Sequence, residues 1–199
     1  AALTSPMSPR HIVFHIGFRK TGTTTIQAML ANLPDDIAQG RFIAPRSRIT
    51  GPWRKAMYAH MRSNRRTGLG PIKAAAIDLR HALDARPEPQ VIISDENLVA
   101  RSVTVRDGST IFDWTADILP IIERVFAEWR IDIVLYTRDL EKWLASCHNQ
   151  EVKRRGQTQR YADWRARIPA SVTWEDGLAK IRAATNLPLH VFSMEEEVS

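Results

Sequence analysis

The sequence predicts a three-layer α/β domain in which helices cover both sides of a central, mainly parallel sheet of about five strands. Short apolar runs rich in Val, Ile, Leu and Phe alternate with longer segments in which apolar residues recur at helical spacing. Most of these runs lack in–out alternation, as expected for strands that are buried on both faces of a parallel sheet. The length of 199 residues suits one such domain.

Predicted strands and helices alternate along the chain. Strands are predicted over residues 11–16, 42–44, 91–94, 131–136 and 189–192. Helices are predicted over residues 23–33, 52–63, 71–85, 114–129, 140–155 and 174–185. The fifth helix has well-marked ends, because Asp139 is a suitable N-cap and Gly156 suits the turn that ends it. We expect one domain over residues 11–199, behind a flexible tail over residues 1–10.

The composition excludes several classes of protein. Hydrophobic residues make up 44% and charged residues 25% of the chain, which is typical of a globular protein and not of a disordered one. No apolar run approaches the ~18 residues needed to cross a bilayer, and residues 1–10 lack the apolar centre of a secretory leader. Cys147 is the one cysteine, so no internal disulfide is possible. We therefore expect no transmembrane segment, and the single cysteine fits a reducing compartment.

The charge balance predicts an anionic partner. Lys and Arg total 28 against 22 acidic residues, and 22 of the 28 are Arg, whose planar fork matches phosphate, sulfate and carboxylate oxygens. Residues 37–77 contain nine basic side chains and no acidic one. They form either a solvated surface that acids balance elsewhere or a positive groove for an acidic ligand. A nucleic acid is not expected, because the chain has no aromatic stacking ladder and no recognition motif.

The strongest local signal is a glycine-containing turn between the first predicted strand and helix. Gly17 and Gly22 lie in this turn, Lys20 stands between them, and Thr residues follow. Such a turn points backbone N–H groups into one pocket, and the helix adds its free N–H groups and the positive end of its dipole. The predicted ligand is a phosphate-like dianion, the alternative being a purely architectural turn. The ATP-binding pattern G-x-x-x-x-G-K-[ST] is not met, because Thr23 occupies its Lys position.

The segment Lys20-Thr21-Gly22-Thr23-Thr24 resembles the 5′-phosphosulfate-binding loop of sulfotransferases, whose core is Lys-[Ser/Thr]-Gly-Thr-Thr. The resemblance, to the bacterial type in particular, implies a P-loop NTPase-like fold. It also implies 3′-phosphoadenosine 5′-phosphosulfate (PAPS) as sulfuryl donor, adenosine 3′,5′-bisphosphate (PAP) as product, and no metal. A cytoplasmic location is implied as well, because this donor is made there. The residues that it implies around the 5′ end of PAPS are Arg19, Lys20, Thr21, Gly22, Thr23, Thr24 and Thr25.

A second motif follows the fourth predicted strand. Arg138 stands at the carboxyl end of that strand, and Ser146 lies eight residues later, about two turns into the next helix. In sulfotransferases an Arg and a Ser at this spacing hold the 3′-phosphate of PAPS, so the resemblance implies the same role here. The alternative is a surface charge and a helix-packing residue. Cys147 is interpreted as a packing residue rather than a nucleophile.

Sulfuryl transfer needs two catalytic groups. One stabilises charge on the leaving oxygen and the other takes a proton from the acceptor. Lys20 is predicted to do the first. Glu96 is predicted to be the general base, with Asp95 as second choice, because ligands of open α/β sheets lie beyond the carboxyl ends of strands. Certain glycan and bacterial sulfotransferases use a carboxylate near this point. The alternative is that Asp95 and Glu96 both cap the next helix.

The resemblance covers about half of the chain, and one feature of the family is missing. Sulfotransferases usually carry a basic loop near the C-terminus that closes over the 3′-phosphate, and nothing after Phe192 offers it. Either the domain is truncated there, or Arg154, Arg155 and Arg160 substitute, or the donor binds weakly. The predicted acceptor is a hydroxyl- or amine-bearing small molecule, glycan or lipid, and the basic residues of 37–77 suggest that it is anionic.

An ATP-dependent small-molecule or nucleotide kinase is the alternative enzyme. Asp95 follows a hydrophobic strand as Mg²⁺ ligands of such kinases do, and Thr23 would be the second ligand. The position of Lys20 argues against a kinase, and so does the pair of Arg138 and Ser146, which has no partner in a nucleotide without a 3′-phosphate. A relative that binds the donor without activity is a further alternative.

Overall fold

The computed structural model describes residues 9–63, 67–100, 102–104 and 108–197. Within these residues one five-stranded parallel sheet has the order β2-β3-β1-β4-β5. The strands are β1 (His11–His15), β2 (Arg41–Pro45), β3 (Gln90–Ser94), β4 (Arg130–Thr137) and β5 (Leu189–Ser193). The predicted α/β fold with a mainly parallel central sheet is confirmed. Of the predicted tail, residues 1–8 lie outside the described residues.

Helices flank the sheet. They are α1 (Thr23–Ala31), α2 (Asp35–Ala38), α3 (Gly51–Arg62), α4 (Gly70–Asp84), α5 (Ile111–Val125), α6 (Leu140–Arg155), α7 (Tyr161–Arg165), α8 (Trp174–Ala183) and α9 (Met194–Glu197). Helix α6 has the predicted bounds, since the Asp139 carboxylate accepts a bond from the Lys142 N–H at 2.9 Å and Gly156 has a φ of 66°. The sequence did not predict α2, α7 or α9, which have only four or five residues each.

Helix α5 begins three residues earlier than predicted and ends four residues earlier. Its start is fixed by a capping box in which the backbone N–H and the hydroxyl of Thr110 both donate to Asp113 Oδ2 at 2.7 Å. Beyond its end, Phe126 and Trp129 are buried in a turn that leads into β4. Their helical spacing with the preceding apolar residues explains why the sequence predicts a longer helix.

The strand order places β1 between β3 and β4. From β1 the chain crosses to the edge strand β2, returns through β3, and then crosses β1 to reach β4. Such a reversal opens a crevice at the carboxyl ends of the strands, where ligands of α/β proteins bind. Four segments meet there because parallel strands end at the same edge: those that follow β2, β3, β1 and β4.

One hydrophobic core joins the sheet to its helices within the described part of the chain. Alternate residues of β1 and β3, such as Phe14 and Ile93, have no exposed surface. No helix in the described ranges is long and apolar enough to cross a membrane.

Candidate functional site

The turn between β1 and α1 has a strained backbone at its centre. Lys20 has a φ of 68° and Gly22 a φ of 80°, in the left-handed region that side chains other than glycine rarely adopt. A hydrogen bond on the buried side of the turn stabilises it, because Thr21 is fully buried and its hydroxyl donates to the Phe18 carbonyl. A Cβ at Gly22 would overlap the flexible end of the Met194 side chain, which would have to move, and the positive φ is what favours glycine there.

Helix α1 begins directly at this turn without a side-chain cap. Its first carbonyl, on Gly22, accepts bonds from the N–H groups of Thr25 and Ile26 at 2.9 and 3.2 Å. Thr23 is buried, whereas Thr24 is exposed. A helix start of this kind presents its first N–H groups and the positive end of the helix dipole to an anion.

Arg138 lies just beyond the carboxyl end of β4, beside the turn. Its Nη1 donates to the Lys20 carbonyl at 3.5 Å, so the two motifs of the sequence are neighbours in space. Its carbonyl accepts a bond from the Trp174 indole at 2.6 Å. The carboxylate of Glu195 in α9 lies 4.0 Å from Arg138 Nε and is an acidic neighbour of this guanidinium.

A cleft of about 680 Å³ opens above these segments. Its lining is Arg19, Lys20, Gly22, Thr23, Thr24, Arg46, Glu96, Val103, Arg138, Ser146, Cys147, Gln150, Glu151 and Arg154. A second recess of about 340 Å³ shares Lys20, Ser146 and Arg154 with it. Of the predicted donor-binding residues, Thr21 and Thr25 are not among those that line the cleft. The hydroxyl of Thr21 is used inside the turn.

Asp95 and Glu96 have different environments. Asp95 is fully buried, and its Oδ2 accepts bonds from Arg54 at 2.5 Å and from Thr50 at 2.7 Å. Its Oδ1 accepts from the Asn97 N–H at 3.0 Å and so caps the short 3₁₀ helix Glu96–Leu98. Glu96 lines the cleft instead. The capping alternative therefore describes Asp95, and Glu96 is the carboxylate that lines the cleft.

Sequence reasoning missed Gln27, a partner of Glu96. From α1 its Nε2 donates to Glu96 Oε2 at 2.7 Å and to the Ser94 carbonyl at 3.3 Å. This contact fixes one oxygen of the carboxylate and leaves the other without a protein partner among the described residues. The contact spans 69 positions, so nothing in the local sequence signals it.

Two tryptophans hold the backbone of the site from inside the core. The Trp143 indole donates to the Arg19 carbonyl at 2.8 Å, and that of Trp174 donates to the Arg138 carbonyl. The two rings pack against each other with centroids 4.7 Å apart, and Phe18 lies against both. The cluster links the turn after β1 to the segment after β4, which are the two predicted anion-binding segments.

Burial shifts the pKa values of two titratable groups beside the site, His15 and Cys147. Burial lowers the pKa of His15 to about 4, so its imidazole is neutral at pH 7. Its Nδ1 lies 2.7 Å from Ser94 Oγ. A Cβ added at Gly17 would lie 3.2 Å from the Nε2 of His15. Burial raises the pKa of the Cys147 thiol to about 12, which keeps it protonated and supports the packing interpretation.

The basic residues of 37–77 lie in several environments rather than in one groove. Arg41 bonds Gln90 at 2.6 Å, Arg54 pairs with Asp95, and Arg46 lines the cleft. Residues 65 and 66 lie outside the described residues. Of the three arginines predicted to replace the missing C-terminal loop, Arg154 lines the cleft, Arg160 does not, and the side chain of Arg155 is outside the described part.

The structure thus brings Arg19, Lys20, Gly22, Thr23, Thr24, Glu96, Arg138 and Ser146 to one cleft. No protein-family model and no curated protein matches the chain. Its function must therefore be inferred from the chemistry of this cleft together with the sequence motifs that line it.

Proposed function

We propose that the protein is a sulfotransferase that moves a sulfuryl group from PAPS to a hydroxyl or amine of its acceptor. The observation that carries the proposal is that the turn at Lys20 and the pair of Arg138 and Ser146 line the same cleft. A donor with phosphate at both its 3′ and 5′ positions needs two anion-binding sites in one cavity. The cleft supplies them from two different strands, with the N–H groups of α1 at one end.

Four of the cleft residues, Lys20, Glu96, Arg138 and Ser146, have a role in the proposed reaction. PAPS supplies a sulfuryl group on a phosphate leaving group. Its transfer breaks the S–O bond to the 5′-phosphate and forms an S–O bond to an acceptor hydroxyl or an S–N bond to an acceptor amine. Lys20 and the first N–H groups of α1 stabilise the charge that develops on the leaving oxygen. Glu96 takes the proton of the acceptor hydroxyl, and Gln27 holds the Glu96 carboxylate in place. Arg138 and Ser146 position the 3′-phosphate.

The contacts of Asp95 argue against the kinase alternative. A Mg²⁺ ligand must offer a free oxygen, whereas both Asp95 oxygens accept bonds from buried protein groups. The carboxylate also carries an ion pair with Arg54 that a metal would have to displace.

Calorimetric titration with PAP, and separately with ATP plus Mg²⁺, tests the donor site. We expect PAP to bind, and we expect Lys20→Ala and Arg138→Ala each to weaken it at least about tenfold, which is the loss of one charge-assisted contact. Arg48→Ala is the matched control, because this exposed Arg lies outside the cleft. Binding of ATP with Mg²⁺ but not of PAP would reject the proposal in favour of a kinase.

The catalytic step needs an acceptor, which a screen for sulfated products across glycans, phenols and lipids would supply. With that acceptor, Glu96→Gln should lower turnover about 100-fold or more, because general-base catalysis contributes this much, while PAP affinity stays unchanged. Full turnover in Glu96→Gln would remove Glu96 from the mechanism.

A further inference from the structure

Arg46 is a cation in the cleft to which the proposed donor-binding motifs assign no role. It lies directly after β2, lines the cleft together with Glu96, and is exposed. Within the described residues its guanidinium makes no hydrogen bond or ion pair, although its backbone N–H donates to the Ser94 carbonyl at 2.7 Å. The side chain is therefore free to contact a ligand.

The backbone of Arg46 is strained in the same way as that of Lys20. In the described part of the chain, these are the two residues other than glycine with a positive φ, at 44° for Arg46 and 68° for Lys20. Such a conformation is unfavourable for residues other than glycine, and residues that adopt it concentrate at functional sites. Both carry a positive charge into the same cleft.

The strand order places Arg46 next to Glu96 along the edge of the sheet. Along the edge of the sheet the order is Arg46 after β2, Glu96 after β3, Lys20 after β1 and Arg138 after β4. Neighbouring strands are about 4.8 Å apart, so Arg46 and Arg138 start three spacings, roughly 14 Å, from each other. Arg46 therefore starts one spacing from the Glu96 segment and is farthest from Arg138. In the proposed function the donor lies over β1 and β4, and the acceptor approaches from the side of Glu96.

We propose that Arg46 binds an anionic group of the acceptor, namely a carboxylate, sulfate or phosphate close to the hydroxyl that Glu96 deprotonates. This inference rests on the proposed function, and it makes Arg46 a determinant of acceptor specificity. Because the Arg46 and Glu96 segments are one strand spacing apart, the anionic group and the reacting hydroxyl belong to the same residue of the acceptor or to adjacent ones. An acidic sugar and a phosphate headgroup both meet this requirement.

Paired probes test the inference on protein saturated with PAP, so that the donor site is filled. NMR titrations compare methyl β-D-glucuronide with methyl β-D-glucoside, and glycerol 1-phosphate with glycerol. In the wild-type protein one anionic probe should bind about tenfold more tightly than its neutral partner, the effect of one charge-assisted contact. Preference for the glucuronide indicates an acidic sugar, and preference for glycerol 1-phosphate indicates a phosphate headgroup.

Substitutions test whether Arg46 causes the preference for the anionic probe. Arg46→Gln should abolish it, Arg46→Lys should retain part of it, and Arg48→Gln, which changes an exposed Arg outside the cleft, should leave it unchanged. Equal binding of charged and neutral probes by the wild type, or a preference that survives Arg46→Gln, would overturn the inference. PAP affinity is measured first for each protein. If PAP does not bind, the proposed function fails. The same probe titrations are then made without PAP, and they test by the same criteria whether Arg46 binds the anionic group.

Discussion

The adjacent carboxylates of Asp95 and Glu96 differ in their hydrogen-bond partners and in their surroundings. Asp95 pairs with Arg54 and bonds Thr50 and Asn97 in the core, whereas Glu96 has one protein contact and faces the cleft. A buried carboxylate whose partners are all in place stabilises local structure, and removal of one member of such a pair leaves the other uncompensated.

Asp95→Asn should therefore lower the free energy of unfolding by about 3 kcal/mol, because Arg54 loses its counter-charge in a largely buried position. The same amide substitution at the next residue, Glu96→Gln, should change it by less than about 1 kcal/mol. Urea denaturation of both variants measures the difference. Equal stabilities would show that Asp95 has no larger structural role than Glu96.

His15 makes folding sensitive to pH near the site. Since burial lowers its pKa from 6.5 to about 4, the unfolded chain binds a proton between these values that the folded protein does not. The stabilising effect of the neutral imidazole is present above pH 6.5 and is lost as the pH falls toward 4. The unfolding free energy of the wild type should decline over this range by up to about 1.4 kcal/mol per pH unit more than that of His15→Gln. Parallel curves for the two proteins would contradict this.

Some features of the fold and of the site are determined by residues close by in the sequence, and others by residues far away along the chain. The bounds of α6 follow from Asp139 and Gly156, which act on their own helix. The roles of Asp95 and Glu96 follow from contacts 41 to 69 positions away, to Arg54 and Gln27. The motifs predicted Lys20, Arg138 and Ser146 as site residues because each carries its own signal, whereas the position of Arg46 beside Glu96 depends on the order of the strands.

The core cluster of Trp143 and Trp174 should control the shape of the donor site. Trp143→Phe keeps an aromatic ring but removes the N–H that holds the Arg19 carbonyl, which costs about 1 kcal/mol of stability. We also expect PAP affinity to fall several-fold, because this hydrogen bond no longer holds the turn that carries Lys20. The control is Trp114→Phe, whose indole donates to Ser109 Oγ instead. It should lose similar stability and keep its PAP affinity. A loss of affinity in both variants would indicate a general effect of core packing.

The molecule as a whole concentrates its positive charge at the crevice that the strand order creates. Its net charge is +6, and the cleft is lined by five basic side chains (Arg19, Lys20, Arg46, Arg138 and Arg154) against two acidic ones (Glu96 and Glu151). An excess of positive side chains in a cleft attracts anions, so the affinity for a multiply charged anion should depend on ionic strength.

This field predicts how salt should act on nucleotide binding. Raising NaCl from about 0.1 to 1 M shortens the screening length from ~10 to ~3 Å, so contacts between the partly exposed cleft cations and both phosphates of PAP weaken. We expect the Kd of PAP to rise at least about tenfold over this range, and that of adenosine 5′-phosphate to rise clearly less, because the latter has no 3′-phosphate for Arg138. Arg138→Gln should reduce the salt dependence of PAP binding to that of adenosine 5′-phosphate. Equal salt dependence of the two nucleotides on the wild-type protein would mean that Arg138 and the 3′-phosphate do not meet, and that the two predicted anion sites do not bind one molecule.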